Sequence, residues 1–204
     1  MIEQGTEAWF ESRRGKVTAS RLSDVLATIK TGEAATRANY RAELIAERLT
    51  GRTVDFFKNA AIQWGTDCEP LARAAYEAET GYMVTSVGLV DHPTIAMAGA
   101  SPDGLVLEEG TLEIKCPNTS THISTLVAGK APSQYIHQMQ WQMACTGRKW
   151  CDFVSFDPRM PDHLQLFIKR VPRDEEIISK AEAEVLKFLS EVDAVISKLN
   201  EYRI

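Results

Sequence analysis

Residues 101–117 constrain this chain more than any other stretch. Ser101-Pro102-Asp103-Gly104-Leu105 is followed, across a short turn, by Glu113-Ile114-Lys115-Cys116-Pro117. Side chains alternate along a strand, so Glu113 and Lys115 share one face while Ile114 enters a core on the other. Glu108-Glu109-Gly110 reads as a three-residue hairpin loop with Gly110 in the left-handed position. That register pairs Leu107 with Thr111, Leu105 with Glu113 and Asp103 with Lys115, and paired residues share a face. Asp103, Glu113 and Lys115 are therefore expected to converge. A two-residue loop would slip the register by one and turn Asp103 away.

The remaining pattern is α/β. Thr6 caps a short helix through Trp9 and Phe10, and Thr18 is expected to cap a second with Leu22, Val25, Leu26 and Ile29 on one face. A third helix runs from Thr36 to Leu49 and ends at Gly51. A fourth spans about Ala60 to Thr80 and ends at Gly81, with a kink or break expected near Asp67–Pro70. Tyr82–Val90, Ile95–Ala100, Gly104–Leu107 and Leu112–Cys116 read as strands, then Ser120–Ala128 and Ser133–Cys145 as helices. Strands Trp150–Phe156 and His163–Val171 follow. A long helix, about Asp174 to Tyr202, closes the chain, with Val185, Leu186, Leu189, Val192, Ile196 and Leu199 as its apolar stripe. The expected architecture is one domain over 1–204. It has one mixed central sheet flanked by helices, an N-terminal helical segment and a long C-terminal helix.

Two carboxylates at one opening suit a hard divalent cation, Mg²⁺ with Mn²⁺ as a substitute. The Ile114 carbonyl supplies a further oxygen. A lysine beside them can orient or deprotonate a water and offset phosphate charge. The set therefore points to phosphodiester hydrolysis. S-P-D-G alone is a common turn and E-I-K alone a common solvated strand; their order and close spacing make the pair informative.

Composition excludes little. A net charge of −5 argues against a generic nucleic-acid binder but not against a nuclease, whose basic surface can be local. Cys68, Cys116, Cys145 and Cys151 form no C-x-x-C pair and read as free thiols. There is no phosphate-cradling glycine loop, no apolar run near the roughly 18 residues of a membrane span, and no signal-peptide pattern at Met1-Ile2-Glu3-Gln4-Gly5. A cytoplasmic location is expected.

The Asp103, Glu113-x-Lys115 arrangement resembles the PD-(D/E)xK nuclease superfamily. Further blocks resemble its lambda-type phage recombination exonucleases, the viral alkaline exonuclease family: Trp9, Arg13, Gly15 and Val17-Thr18-Ala19-Ser20; Trp64-Gly65 with Glu69; Gln138-Met139-Gln140; and Phe156-Asp157-Pro158-Arg159-Met160. The resemblance implies a restriction-endonuclease-like core and a metal-dependent 5′→3′ exonuclease on double-stranded DNA. Such an enzyme digests the 5′-ended strand to mononucleotides and leaves 3′ overhangs for recombination by strand annealing. It also implies a homotrimer ring, a single-strand annealing protein as partner, and a phage or prophage origin in a bacterial host. Residue by residue, it puts Asp103, Glu113 and the Ile114 carbonyl at the metal, with Glu69 at a second metal. Lys115 and Gln138 are placed in the catalytic site, and Arg13, Ser20 and Ser101 on the terminal 5′-phosphate. Ile62 falls at an apolar wedge, and Lys30 at a DNA contact. Two other readings are an endonuclease of the same superfamily, which would nick closed circles, and a catalytically silent DNA-end scaffold, which would release no nucleotide.

Overall fold

The computed structural model describes residues 2–53 and 60–202, without the side chains of 61 and 62. The first helix, α1 (Glu7–Arg13), is capped by Thr6, whose hydroxyl accepts the Trp9 N–H at 3.3 Å. The second departs from expectation. Thr18 does not cap it; with Val17 it forms strand β1 (Val17–Thr18), paired to residues 98–99, and its N–H donates to the Tyr40 hydroxyl. A 3₁₀ turn follows, and α2 (Leu22–Val25) is a single turn that leaves Ile29 exposed. Strand pairing has claimed the residue the cap needed.

Helix α3 (Ala35–Thr50) ends at Gly51 with φ 65°, and α4 (Ala60–Thr80) at Gly81 with φ 70°, the left-handed geometry glycine accepts without penalty. Of the kink or break expected near Asp67–Pro70, the break does not occur: α4 runs unbroken through Pro70. The proline lies on the exposed side, while Cys68, Ala72 and Tyr76 on the other side are buried before and after it. Packing on both flanks overrides the local preference.

Two sheets form where one was expected. Strand order is β1–β4–β3 in the smaller and β2–β5–β6–β7–β8 in the larger. The segment read as one strand, Tyr82–Val90, is divided between them: β2 (Val84–Thr85) joins the larger sheet and β3 (Val90–Asp91) the smaller. The chain crosses at Gly88, where a Cβ would stand 2.5 Å from the Ile2 carbonyl oxygen. Strand β4 (Ala98–Ala100) lies in the smaller sheet, and β5 (Gly104–Val106) and β6 (Gly110–Lys115) in the larger. Beyond them, β7 (Trp150–Phe156) runs parallel to β6, and β8 (Leu166–Pro172) antiparallel to β7. The last strand starts later than His163 because residues 162–164 form a 3₁₀ turn.

The β5–β6 register also differs. Leu105 pairs with Thr111 and Val106 with Gly110, so the loop is 107–109 and Leu107, not Gly110, takes the positive φ, at 50°. Gly110 is needed for packing instead: a Cβ there would lie 2.0 Å from the Trp150 ring. The slip moves each partner by two residues, an even number, so Leu105 still shares its face with Thr111 and Glu113.

The larger sheet is covered on both sides. Val106, Leu112, Ile114, Val154 and Phe156 pack with Ala72 and Tyr76 of α4. On the other face Cys151 and Phe153 meet Met139 and Met143 of α6 (Ile136–Thr146). Helix α5 (Thr119–Ala128) is capped by Asn118. Helix α7 (Glu175–Asn200), capped by Asp174, joins α2, α3 and the smaller sheet in another core through Ile178, Val185, Phe188, Leu189 and Val192; Leu186, expected in the stripe, is exposed. The four cysteines are free.

Candidate active site

Sheet alternation sends Ile114 into the α4-side core and Glu113 toward α6. Glu113 is 1% exposed, so its charge needs donors, and three reach it. Gln138 Nε2 donates to Oε1 at 2.6 Å, Gln142 Nε2 donates to Oε2 at 2.5 Å, and Lys115 Nζ lies 2.5 Å from Oε1. Gln138 and Gln142 are four residues apart on α6, hence on one helix face. Lys115 also lies over the Tyr135 ring, 5.1 Å from its centroid. Burial opposes the lysine charge, but Glu113 and Asp103 outweigh it and raise its pKa. The ammonium therefore stays protonated in the metal-free protein.

Asp103 lies just outside the β5–β6 ladder. Its N–H donates to the Leu112 carbonyl at 3.1 Å, and its Oδ2 accepts the Ile114 N–H at 2.6 Å. In a strand the N–H and C=O of one residue point to the same side, so the Ile114 carbonyl faces the gap that β5 has vacated beside Asp103. Burial, then the Glu113 carboxylate, pushes the Asp103 pKa well above the usual carboxylate range. Glu69, on α4, is shifted upward as well, by burial first and then by Glu113, against the pull of Arg73. Carboxyls whose ionisation is disfavoured by burial and by a neighbouring carboxylate suit a cation, whose charge would offset both. The donors are all hard oxygens, from Asp103, Glu113 and the Ile114 peptide, and they fit Mg²⁺ or Mn²⁺. Among the described residues no group of three His, Cys, Asp or Glu forms a ready-made metal cluster, so the peptide oxygen and water must complete the shell.

The second constellation is basic. Arg13 Nη1 donates to Ser101 Oγ at 3.1 Å, and its Nη2 reaches Thr18 Oγ1 at 3.3 Å and Ser20 Oγ at 3.5 Å. Trp9 Nε1 also donates to Ser101 Oγ, at 3.1 Å, and the guanidinium lies 4.2 Å from the centre of the Trp9 ring. Burial lowers the Arg13 pKa. No carboxylate among the described residues forms an ion pair with Arg13, in contrast to Arg21, Arg37 and Arg41. A desolvated cation ringed by hydroxyls is arranged to receive an anion. Arg13, Ser20, Glu69, Arg73 and Asp103 line one cleft of about 930 Å³.

The structure thus brings together Asp103, Glu113, Lys115, Gln138 and the Ile114 peptide, with Glu69 in electrostatic reach, and separately gathers Arg13, Ser20 and Ser101. Lys30 is on an exposed loop and does not line the cleft. The Ile62 side chain lies outside the described residues. Sequence reasoning missed Gln142 and Arg73, and quoted Trp9 as part of a family motif without giving it a role. The i, i+4 spacing of Gln138 and Gln142 was a usable signal; for Arg73, spaced likewise from Glu69, the contact to Asp103 depends on tertiary structure.

Residues 8–149 match the YqaJ-like viral recombinase domain. Comparison with curated protein sequences gave no match. The crystal structure of LHK-Exo in complex with dAMP is 58% identical to this chain, with a TM-score of 0.90 over 95% of this chain and 96% of that one. The alkaline exonuclease LHK-Exo from Laribacter hongkongensis is 57% identical, with a TM-score of 0.88 over 96% of each chain. A phage-related exonuclease from Haemophilus somnus 129PT, 19% identical over 90% of this chain and 96% of that one, shares the fold at a TM-score of 0.71. The mixed α/β fold with its long C-terminal helix is that of the alkaline exonuclease structures. The domain match covers well over half of the sequence, including Asp103, Glu113, Lys115 and Arg13, and the chain belongs to the YqaJ-like viral recombinase family.

Proposed function

We propose that this chain is a metal-dependent 5′→3′ exonuclease that degrades the 5′-ended strand of duplex DNA to mononucleotides and leaves 3′ overhangs for strand annealing. The observation that carries the reading is the shared cleft: the carboxylates Asp103 and Glu69 and the anion-receptive Arg13 line the same space. An endonuclease has no need of a pocket for a terminal phosphate. The relative solved with dAMP, a mononucleotide, supports release of single nucleotides.

Asp103, Glu113 and the Ile114 carbonyl would hold Mg²⁺ or Mn²⁺, with Glu69 able to serve a second ion. When bound, the cation polarises the scissile phosphate and lowers the pKa of a bound water. Lys115 carries a positive charge beside the reacting phosphate and orients the water. Gln138 and Gln142 fix both oxygens of Glu113, so that carboxylate is held in place before substrate arrives. Arg13, Ser20 and Ser101 bind the terminal 5′-phosphate and set which phosphodiester faces Asp103. The finer assignments — a homotrimer ring, a single-strand annealing partner and action in the cytoplasm of a bacterial host — rest on family resemblance. No helix among the described residues is long and apolar enough to cross a membrane.

The test is digestion of linear duplex labelled at one 5′ or one 3′ end, with Mg²⁺, beside a closed circle. Early release of the 5′ label as a mononucleotide with the circle intact is expected. Nicking of the circle would establish the endonuclease reading, and no released nucleotide would leave only an end-binding scaffold.

A further inference from the structure

Asp103 belongs to the three-residue passage, 101–103, by which the chain leaves β4 in one sheet and enters β5 in the other. Pro102 has no N–H, and neither Pro102 nor Asp103 lies in a strand. Their carbonyls are met by side chains from far away in sequence. Gln4 Nε2 donates to the Pro102 carbonyl at 2.7 Å and to that of Val87 at 2.8 Å. Arg73 Nη2 donates to the Asp103 carbonyl itself. The other end of the same guanidinium, Nη1, donates to Ser86 Oγ at 3.1 Å, and Nη2 stands 3.9 Å from Glu69 Oε1, one turn earlier on α4. Arg73 therefore ties α4, the segment after β2 and the backbone of Asp103 with one planar fork, a geometry that a lysine ammonium cannot reproduce.

We propose that Arg73 is a positioning residue for the cation site, fixing the Asp103 backbone and the Glu69 carboxylate relative to one another. The inference rests on the reading of Asp103 as a metal ligand. With its N–H on Leu112, its carbonyl on Arg73 and Oδ2 on the Ile114 N–H, Asp103 has Oδ1 left without a donor among the described residues. The backbone is anchored, and the remaining oxygen is offered to the ion. Removing Arg73 frees the carbonyl anchor, so a cation must then order the segment at its own expense.

The test measures Mn²⁺ binding by titration calorimetry on the intact protein without DNA, so that a phosphate-binding role for Arg73 cannot contribute. Arg73→Met is expected to weaken Mn²⁺ binding by about tenfold, the order of one charge-assisted hydrogen bond. Arg73→Lys, which keeps the charge and reaches fewer acceptors, should recover part of the loss. At saturating Mn²⁺ the kcat of Arg73→Met should return to within about threefold of wild type, which distinguishes positioning from a direct part in chemistry. Should Arg73→Met fail to fold, Arg73→Lys and Ser86→Ala, which cuts the far anchor of the fork, carry the same comparison. Unchanged Mn²⁺ affinity in the folded variants overturns the proposal, as does loss of kcat that saturating Mn²⁺ does not restore. Asp103→Asn is the separate control: if it binds Mn²⁺ like wild type, the metal-ligand reading itself fails, whatever Arg73 does.

Discussion

Replacing Gln142 by leucine, a residue of similar size, tests how the buried Glu113 charge is maintained. Gln142 is fully buried and supplies the donor seen on Glu113 Oε2; Lys115 and Gln138 both sit on Oε1. The substitution leaves a carboxylate oxygen unsatisfied where water does not reach. An unsatisfied buried acceptor costs about 1–3 kcal/mol, with charged groups at the upper end. The leucine side chain regains about 1 kcal/mol of apolar burial. A net loss of about 2 kcal/mol follows, which for a chain of this length lowers Tm by about 4–8 °C. The assay is thermal or urea unfolding in EDTA and again in saturating Ca²⁺. The deficit should shrink with Ca²⁺, because an ion on Glu113 supplies the missing compensation. Glu113→Gln in the Gln142→Leu background should also recover part of the loss, since the unpaired charge is gone. A Gln142→Leu protein within about 0.5 kcal/mol of wild type in EDTA, or a deficit indifferent to both Ca²⁺ and Glu113→Gln, would falsify the clamp; that threshold is the noise expected of a neutral substitution.

Other expectations concern the chemistry. Lys115→Ala should abolish nucleotide release, a drop of about 10³-fold or more, while DNA-end binding in Ca²⁺ persists by mobility shift; near-normal turnover removes the lysine from the mechanism. Linear duplexes with a 5′-hydroxyl should be degraded more slowly than 5′-phosphorylated ones, and Arg13→Ala should erase the difference; equal wild-type rates count against the Arg13–Ser20–Ser101 pocket. The raised Asp103 pKa gives a pH dependence. Between its unfolded value of about 3.9 and its higher folded value, the native state binds the extra proton, so metal-free stability falls as pH rises through that window. A cation needs the ionised form, so Mn²⁺ affinity and the stabilisation it confers should both grow with pH over the same range, with protons released on binding. Calorimetry in two buffers of different ionisation enthalpy reads that release; no release, or affinity flat with pH, contradicts the assignment.

Local pattern was enough wherever a local rule acted alone. Thr6, Gly51, Gly81 and Asp174 end or begin helices as their side chains or missing side chains dictate. It failed where a distant partner took the residue. Thr18 was withdrawn from capping by β4, Pro70 was held in helix by the buried side chains around it, and Gly110 answers to Trp150 rather than to its own turn. The convergence of Glu113 with Asp103 survived a wrong hairpin register only because the slip was even. Gln142 was visible as the i+4 neighbour of Gln138. The second sheet was not, because a strand of two or three residues carries too little alternation to reveal a change of sheet.

That second sheet explains why the two constellations share one cleft. Ser101, which takes donors from Trp9 and Arg13, is two residues from Asp103, and both lie in the passage between the sheets. A continuous ladder through 101–103 would spend these backbone groups on neighbouring strands and fix Asp103 by register alone. Breaking the ladder frees the Ser101 hydroxyl to complete the Arg13 pocket and lets the Asp103 carboxylate turn to the Ile114 N–H. The cost is carbonyls without sheet partners, met here by Gln4 and Arg73. On the proposed function, the spacing between a terminal phosphate held by Arg13 and Ser101 and a phosphodiester facing Asp103 would be set by one three-residue segment, and so would stay fixed from one turnover to the next.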